Sequence, residues 1–515
     1  MGYRARLVDS VNVAIALVVL VPFAWVVYSA FGVESSRVFE ILGRSENLEI
    51  LVNTVVLVVL VTAASVLISV PLAFVTAYGD VPYPRALSVL VALPLVVPSY
   101  IGAFGFVVGF GPRGELQSLL GVERLPSIYG LAGSVLVITL YTYPYTFITT
   151  RAALRSVDAS VVDAARTLDG SRRRLVREVL LPQAKPAVLA GALLVALYAL
   201  SDFGTPAIMR YDVYTRVIYV EHEAWRRDVA SLLSLQLVAL AAVVLFVENR
   251  VSNVGDIRSK GGGRKPSLRL GRWKLPATLA CLAVPVFALA VPVGVLALWL
   301  FRGDESYASG GGFTWEYAWN SVYVAGLAAA VAVAVALPVA YGAARRRSMP
   351  SVLAERASYV GYALPGVVLG LGLVFFGSGT PLYQTIPLLV FGYTVKFLPE
   401  AVGITRSSFL QFDVRLAEAA RTLGSRPLRT FYRVVLPSIA PGVLAGAALV
   451  FLTTMKELPI TLFLRPAGFD TLVTRVWSAY HEGFYGQAAL PALVLVAISA
   501  LSVFVILSRE RYDAR

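Results

Sequence analysis

The chain has 515 residues, 57% of them hydrophobic and only 15% charged, where ordinary soluble domains carry about a quarter charged residues. An apolar excess of this size over this length excludes a soluble globular protein and points to a polytopic membrane protein. The net charge of +14 is scattered between hydrophobic runs, which suits membrane topology and not nucleic acid, and the single Cys281 excludes an intrachain disulfide and a cysteine metal cluster.

Runs long enough to cross a bilayer as helices fall near residues 11–31, 51–78, 86–110, 128–150, 186–209 and 229–247, and again near 275–301, 318–344, 352–376, 385–405, 441–464 and 487–508. The pattern predicts an all-α membrane protein of about 12 transmembrane helices. The first run reads as an uncleaved anchor. No polar stretch between the spans is large enough for a soluble domain. Basic residues gather at Arg4 and Arg6, over 151–185, over 249–274, at Arg345, Arg346 and Arg347, and at the C-terminal end. All of these lie on one side of an even-numbered topology, which places both termini in the cytoplasm of a multi-pass plasma-membrane protein. Gly261-Gly262-Gly263 and scattered charges make 249–274 a flexible tether.

The chain repeats itself. Asn53-Thr54 and Pro71 recur as Asn320-Ser321 and Pro338 at an offset of 267, and Ala92-Leu93-Pro94 recurs as Ala363-Leu364-Pro365 at 271. Pro144, Arg151, Asp158, Pro182, Pro186 and Gly191 recur as Pro399, Arg406, Asp413, Pro437, Pro441 and Gly446 at 255. His222-Glu223 matches His481-Glu482. Two homologous six-span halves follow, residues 1–248 and 275–515, joined by a cytoplasmic linker at 249–274. Six is even, so the halves run in the same direction, with a pathway expected between them.

A polar, basic block stands out inside each half: DAARTLDGSRRRLVREVLLP at 163–182 and EAARTLGSRPLRTFYRVVLP at 418–437. Asp163 or Glu418 is expected to open a short helix, where an acid suits the positive end. Ala164-Ala165 and Ala419-Ala420 give a flat face for close approach by another protein. Gly170 or Gly424 breaks that helix. Arg429 and Arg433, like Arg173 and Arg177, lie four apart on one face of the next. Leu181-Pro182 and Leu436-Pro437 then start a membrane helix, since proline is tolerated in a first turn. A basic loop that only sets topology is the plainer reading, but it does not account for two copies with the same internal spacing.

The block with its acid, Ala-Ala, Gly and closing Leu-Pro resembles the EAA loop of the permeases of binding-protein-dependent ABC importers. Glu418, Ala419, Ala420, Gly424, Leu436 and Pro437 match it position for position; the first copy departs at Asp163 and at Asp169, which displaces Gly170 by one. KELPITLFLRPAGFDTLVTRVW at 456–477 and Ser201-Asp202-Phe203-Gly204 are similar to the fused twelve-span permeases of ferric-iron importers. The resemblance implies the type I, MetI-like permease fold in both halves. It implies two cytoplasmic ABC ATPase subunits docked on the two blocks and an extracytoplasmic substrate-binding protein, with thiamine or a phosphonate as the alternative cargo.

No Gly-x-x-x-x-Gly-Lys-Ser/Thr phosphate loop is present, and Gly262-Gly263-Arg264-Lys265 has the wrong spacing, so no ATPase site, catalytic set or cofactor is expected in this chain. The two histidines, in His222-Glu223 and His481-Glu482, are poor metal ligand sets. Asp202, Lys456 and Glu457 are charges at membrane depth, as are Lys396 and Glu400 four apart. They are expected either to line the translocation pathway, or to form salt bridges between helices or mark helix ends near Pro206 and Pro459. Two other classes stay open. An ion-coupled secondary transporter explains the repeat but not the paired blocks, and a scaffold or receptor would need soluble domains.

Overall fold

The computed structural model describes residues 2–111, 114, 121, 127–158, 174–252, 268–301, 312–346 and 348–510. Within them the chain is helical and no strand forms. Nine helices are long and apolar enough to cross a bilayer, two further helix pairs pass the same test as bent pairs, and Tyr485–Leu501 is a shorter apolar helix. These account for all the spans read from the sequence.

The third and ninth spans are not single rods. Pro84–Val96 and Ser99–Phe110 meet at 87°, and Met349–Gly361 and Gly366–Gly377 meet at 106°. Proline causes both breaks. It excludes the helical well for the residue before it, and Val97 and Leu364 accordingly turn extended, with ψ of 126° and 125°. Pro98 and Pro365 then cap the amide ends of two helices of 12 residues each. These two prolines are 267 apart in sequence, the same offset as Asn53/Asn320, so Pro98 and not Pro94 is the structural counterpart of Pro365. The fifth and eleventh spans also stop short, at Ser201 and Met455, and short helices follow at Gly204–Ile208 and Pro459–Leu464.

The repeated Asn-Thr/Ser pair has a shared role. Asn53 donates to the Asp212 carbonyl (3.1 Å) and Thr54 Oγ1 accepts from the Tyr214 amide (3.1 Å). In the second half Asn320 donates to the Asp470 carbonyl (2.9 Å) and Ser321 Oγ accepts from the Leu472 amide (2.9 Å). In both halves the second span thereby holds the start of a ten-residue helix, Tyr214–Glu223 or Leu472–His481. Orphan amides at a helix start need such acceptors.

The chain folds into two compact units that do not follow the repeat boundary. One unit contains Met1–Ser35, His222–Leu235 and Ser306–Arg515, and the other contains Ser36–Glu221 and Gln236–Glu305. The halves therefore exchange their first helices. Gly2–Phe31 packs on Met349–Ala363 and Gly366–Gly377, whereas Lys274–Phe301 packs on Pro84–Ala92 and Ser99–Phe110. Each exchanged helix rests on a glycine. A Cβ at Gly372 would come within 2.3 Å of the Pro22 carbonyl, and one at Gly105 within 2.5 Å of Pro292. Gly105 and Gly372 are again 267 apart, so one seat is used twice.

Gly105→Ala and Gly372→Ala should each cost about 1–3 kcal/mol, the usual cost of overpacking, because backbone must move. Gly326→Ala meets nothing within 4 Å inside Trp315–Tyr341 and should be neutral or stabilising by roughly 0.5–1 kcal/mol. Thermal unfolding of the purified variants checks the contrast; equal melting temperatures for all three would remove the seat.

Candidate functional site

In the second block, helix Val414–Thr422 is opened by Asp413, whose carboxylate accepts from the Arg415 amide at 3.0 Å. Glu418 does not open the helix, as its place in the motif had implied; it sits mid-helix, exposed beside exposed Ala419 and half-buried Ala420. The cap falls to Asp413 because its short side chain folds back onto its own turn. The helix ends as the sequence implies. Gly424 adopts φ +82°, its amide bonds to the Arg421 carbonyl (3.0 Å), and the Ser425 amide bonds to the Ala420 carbonyl (3.0 Å). This is a Schellman ending, which needs a left-handed residue after the last turn. A Cβ at Gly424 would meet nothing, so backbone conformation is what selects glycine here.

The surface of this block is unusually apolar for a basic loop. Leu423 is 88% exposed, Leu428 69%, Tyr432 60% and Leu416 53%. They are interspersed with exposed Arg421, Arg426, Arg429 and Arg433. Exposed apolar side chains of this size among exposed arginines are uncommon on a surface that faces only water.

Leu436-Pro437 does not begin a new helix. Pro427–Met455 is one helix, and Leu175–Ser201 is its counterpart in the first half. A π-helical turn precedes each proline, at Phe431–Val435 and Leu175–Leu180. Proline cannot donate to the carbonyl four residues back and its ring crowds that carbonyl. The wider turn absorbs both effects. Leu181 and Pro182 are described and occupy the matching place. Asp163, Ala164, Ala165 and Gly170 lie outside the described residues.

The charges at membrane depth gather at the helix breaks. Glu457 Oε1 accepts from the Ile460 amide (3.3 Å), capping Pro459–Leu464. Its carboxylate also lies against the start of Gly366–Gly377, since a Cβ at Gly366 would stand 2.5 Å from Oε1. Lys396, 9% exposed, donates from Nζ to the Leu364 carbonyl (2.5 Å) at the end of the first piece of the ninth span, and is the electrostatic partner of Glu457 and Glu400. A cation thus sits at the carbonyl end of the break and an anion at the amide end, matching both helix dipoles. Glu400 accepts from Thr453 Oγ1 (3.0 Å) and faces the charge of Lys456.

The first half builds the same break with fewer charges. Asp202 Oδ1 accepts from the Thr205 amide (3.4 Å), and its carboxylate lies beside the hydroxyl of Ser99, the first residue of Ser99–Phe110. The Tyr143 hydroxyl donates to the Val91 carbonyl (2.7 Å). Asp202, Lys456, Glu457 and Glu400 are each only partly covered. Asp202 and Glu457 share a repeat-equivalent role as caps, so these two charges hold helix ends. Lys396 and Glu400, four apart on one helix face as the sequence shows, belong to this set.

The two histidines pack against aromatic rings, His222 against Phe463 (5.0 Å between centroids) and His481 against Trp477 (4.3 Å). Burial first, and then the nearby Arg227 charge, push the His222 imidazole below its usual range, so it is neutral at pH 7. Among the described residues no group of three or more His, Cys, Asp or Glu side chains is placed to hold a metal ion.

Nine to eleven apolar spans among the described residues, with a broken third span and a long proline-bearing helix repeated along the chain, define a membrane transport subunit. The chain belongs to the family of binding-protein-dependent transport system inner membrane components, whose model matches residues 69–247 and 336–512. It is 30% identical over 502 residues to an Fe(3+)-transport system permease protein of Haemophilus influenzae, covering 96% of each chain. A probable ABC transporter permease of Sinorhizobium fredii is 26% identical over 89% of this chain and 86% of its own. A ferric transport system permease of Actinobacillus pleuropneumoniae is 23% identical over 80% of this chain and 64% of its own. The protein is accordingly a multi-pass membrane permease with the two-halved MetI-like fold, works with a substrate-binding protein and an ATPase, and is not itself an enzyme.

Glu457→Gln keeps an acceptor for the Ile460 amide, whereas Glu457→Ala removes it. The glutamine variant should accumulate near the wild-type level with reduced transport, and the alanine variant should lose protein and transport together, since it alone leaves the Ile460 amide without its cap. Comparing membrane protein level with uptake separates the two; a glutamine variant transporting at the wild-type rate would leave the carboxylate with a capping role only.

Proposed function

We propose that the chain supplies both halves of the channel of an ATP-driven importer and that its cargo is ferric iron. The observation that carries the coupling is the second block: an exposed Glu418-Ala419-Ala420 face, ended by Gly424 and flanked by exposed Leu423 and Leu428. One ATPase subunit docks on this block and a second on the block containing Asp163, Ala164, Ala165 and Gly170, with Leu181-Pro182 and Leu436-Pro437 passing the motion into the membrane. The linker at 249–274, between halves 1–248 and 275–515, lies with both termini on the cytoplasmic side. ATP hydrolysis belongs to those partner subunits.

Transport proceeds by alternating access. Closure of the ATPases draws the two blocks together and opens a path toward the binding protein. Cargo is released into it, and hydrolysis resets the channel. Asp202, Lys456 and Glu457 line that path. Selection of the cargo rests with the binding protein, so weak polar contacts suffice in the permease. Ferric iron is favoured over thiamine or a phosphonate by the similarity to a ferric permease along nearly the whole chain.

Glu418→Lys inverts the charge of the docking face, and Gly424→Pro cannot adopt φ +82° because proline fixes φ near −65°. Both should release the ATPase or uncouple its turnover from uptake, measured by co-purification and by transport in vesicles holding the full complex. Normal coupling in both variants would contradict the docking assignment. In the same vesicles, radiolabelled ferric iron should enter only with ATP and the binding protein, and excess thiamine or phosphonate should not compete. Uptake of either competitor without iron would reject the cargo and leave the importer standing.

A further inference from the structure

We infer that the exchange of first helices between the halves is specified by a chemical key at the turn after each half's second span, polar and basic in the second half, apolar and acidic in the first. The second-half key is read by the N-terminal helix. Asn12, fully buried, donates from Nδ2 to Ser351 Oγ (3.0 Å). Ser348 Oγ donates to Asp9 Oδ1 (2.7 Å), and the Arg346 guanidinium pairs with Asp9 Oδ2 (3.0 Å). The Asn12 amide fits because residue 342 is glycine; a Cβ there would stand 2.6 Å from Nδ2.

The first half has none of these groups. At the offset of 267, Gly342, Ser348 and Ser351 correspond to Val75, Val81 and Pro84. The incoming helix there is Lys274–Phe301, and it places Cys281, fully buried, in an apolar cluster with Tyr78, Val81 and Leu87. Asp80 grips the chain just ahead of this helix, accepting from the Leu270 amide (2.8 Å) and lying 3.8 Å from Lys274 Nζ. The ion pairs have opposite polarity. The second half receives an acid with Arg346, and the first receives a base with Asp80.

Packing of each first helix on its own half is disfavoured on both counts. In the wrong pairing Asp9 loses both Arg346 and Ser348, and Lys274 loses Asp80. Asn12 would be buried against Val75, Val81 and Pro84 with no side-chain partner, which costs far more than the bond it makes with Ser351 is worth. The exposed Lys274–Asp80 pair adds little stability by itself.

The test uses the full-length chain in membranes. Asp9→Arg alone should lower the amount of folded protein about three-fold, as a modest stability loss does in cells, and adding Arg346→Asp should restore it. Asn12→Val and Cys281→Asn should each lower it similarly, and Asn12→Ala with Ser351→Ala should be coupled, not additive. Pairing itself is read in a Cys281→Ala background carrying Trp25→Cys and Phe376→Cys, whose parent rings lie 6.1 Å apart. A short thiol cross-linker should hold the halves together after cleavage at a protease site inserted between residues 253 and 267. That cross-link should drop when Asp9→Arg and Asn12→Val are added. Unchanged cross-linking with those substitutions, or a charge-reversed pair no better than Asp9→Arg alone, overturns the key.

Discussion

Backbone polar groups inside a bilayer have no water to bond with, so every break in a membrane helix must be satisfied by the protein itself. This constraint explains where the chain puts its scarce charges. The third and ninth spans break at Pro98 and Pro365, and each break frees carbonyls on one side and amides on the other. Lys396 and Glu457 answer both ends in the second half; in the first, Asp202 caps the short helix beside the break. Charges that look costly from hydropathy alone are placed where orphan backbone groups would otherwise be left.

The repeat conserves geometry more closely than residue type. Asn53 and Asn320 hold ten-residue helices, Gly105 and Gly372 seat exchanged helices, and π-helical turns precede Pro182 and Pro437, each at matching positions. The chemistry around these fixed points has drifted. Tyr141 stands where Lys396 stands in the other half, and its hydroxyl donates to the Ala288 carbonyl on an exchanged helix instead of to a break. Two halves that began alike can hold different side chains as long as each backbone break and each close contact stays satisfied.

Much of this was legible in the sequence because lipid imposes length and apolarity on spans, and a repeat shows itself by offsets. The block was legible because Gly424 must be left-handed and because a charged segment between spans has few structural reasons to be copied. The breaks were harder to read. Leu93-Pro94 and Leu364-Pro365 look alike, and only the backbone shows that Pro98 is the true partner of Pro365. Asp413 was visible as a repeated acid, yet the motif drew the helix start to Glu418. The exchange of first helices left no local mark, since Pro22, Gly372, Asn12 and Ser351 come together only in three dimensions and lie hundreds of residues apart.

The continuity of the helix after each block bears on how a push from the cytoplasm could be used. Pro427–Met455 is a single helix of 29 residues, about 43 Å at 1.5 Å per residue. One end carries the exposed Leu428 and Tyr432 of the block, and the other ends at Lys456 and Glu457, against the start of Gly366–Gly377. Had Leu436-Pro437 broken the helix, a displacement at the block would have been lost at that joint. The π-helical turn keeps the helix continuous across the proline. The proposed coupling therefore needs no long relay of side chains. A rigid element links the docking face to the carboxylate that holds a broken span, and a small tilt at one end becomes a change in how Glu457 meets the amides it caps.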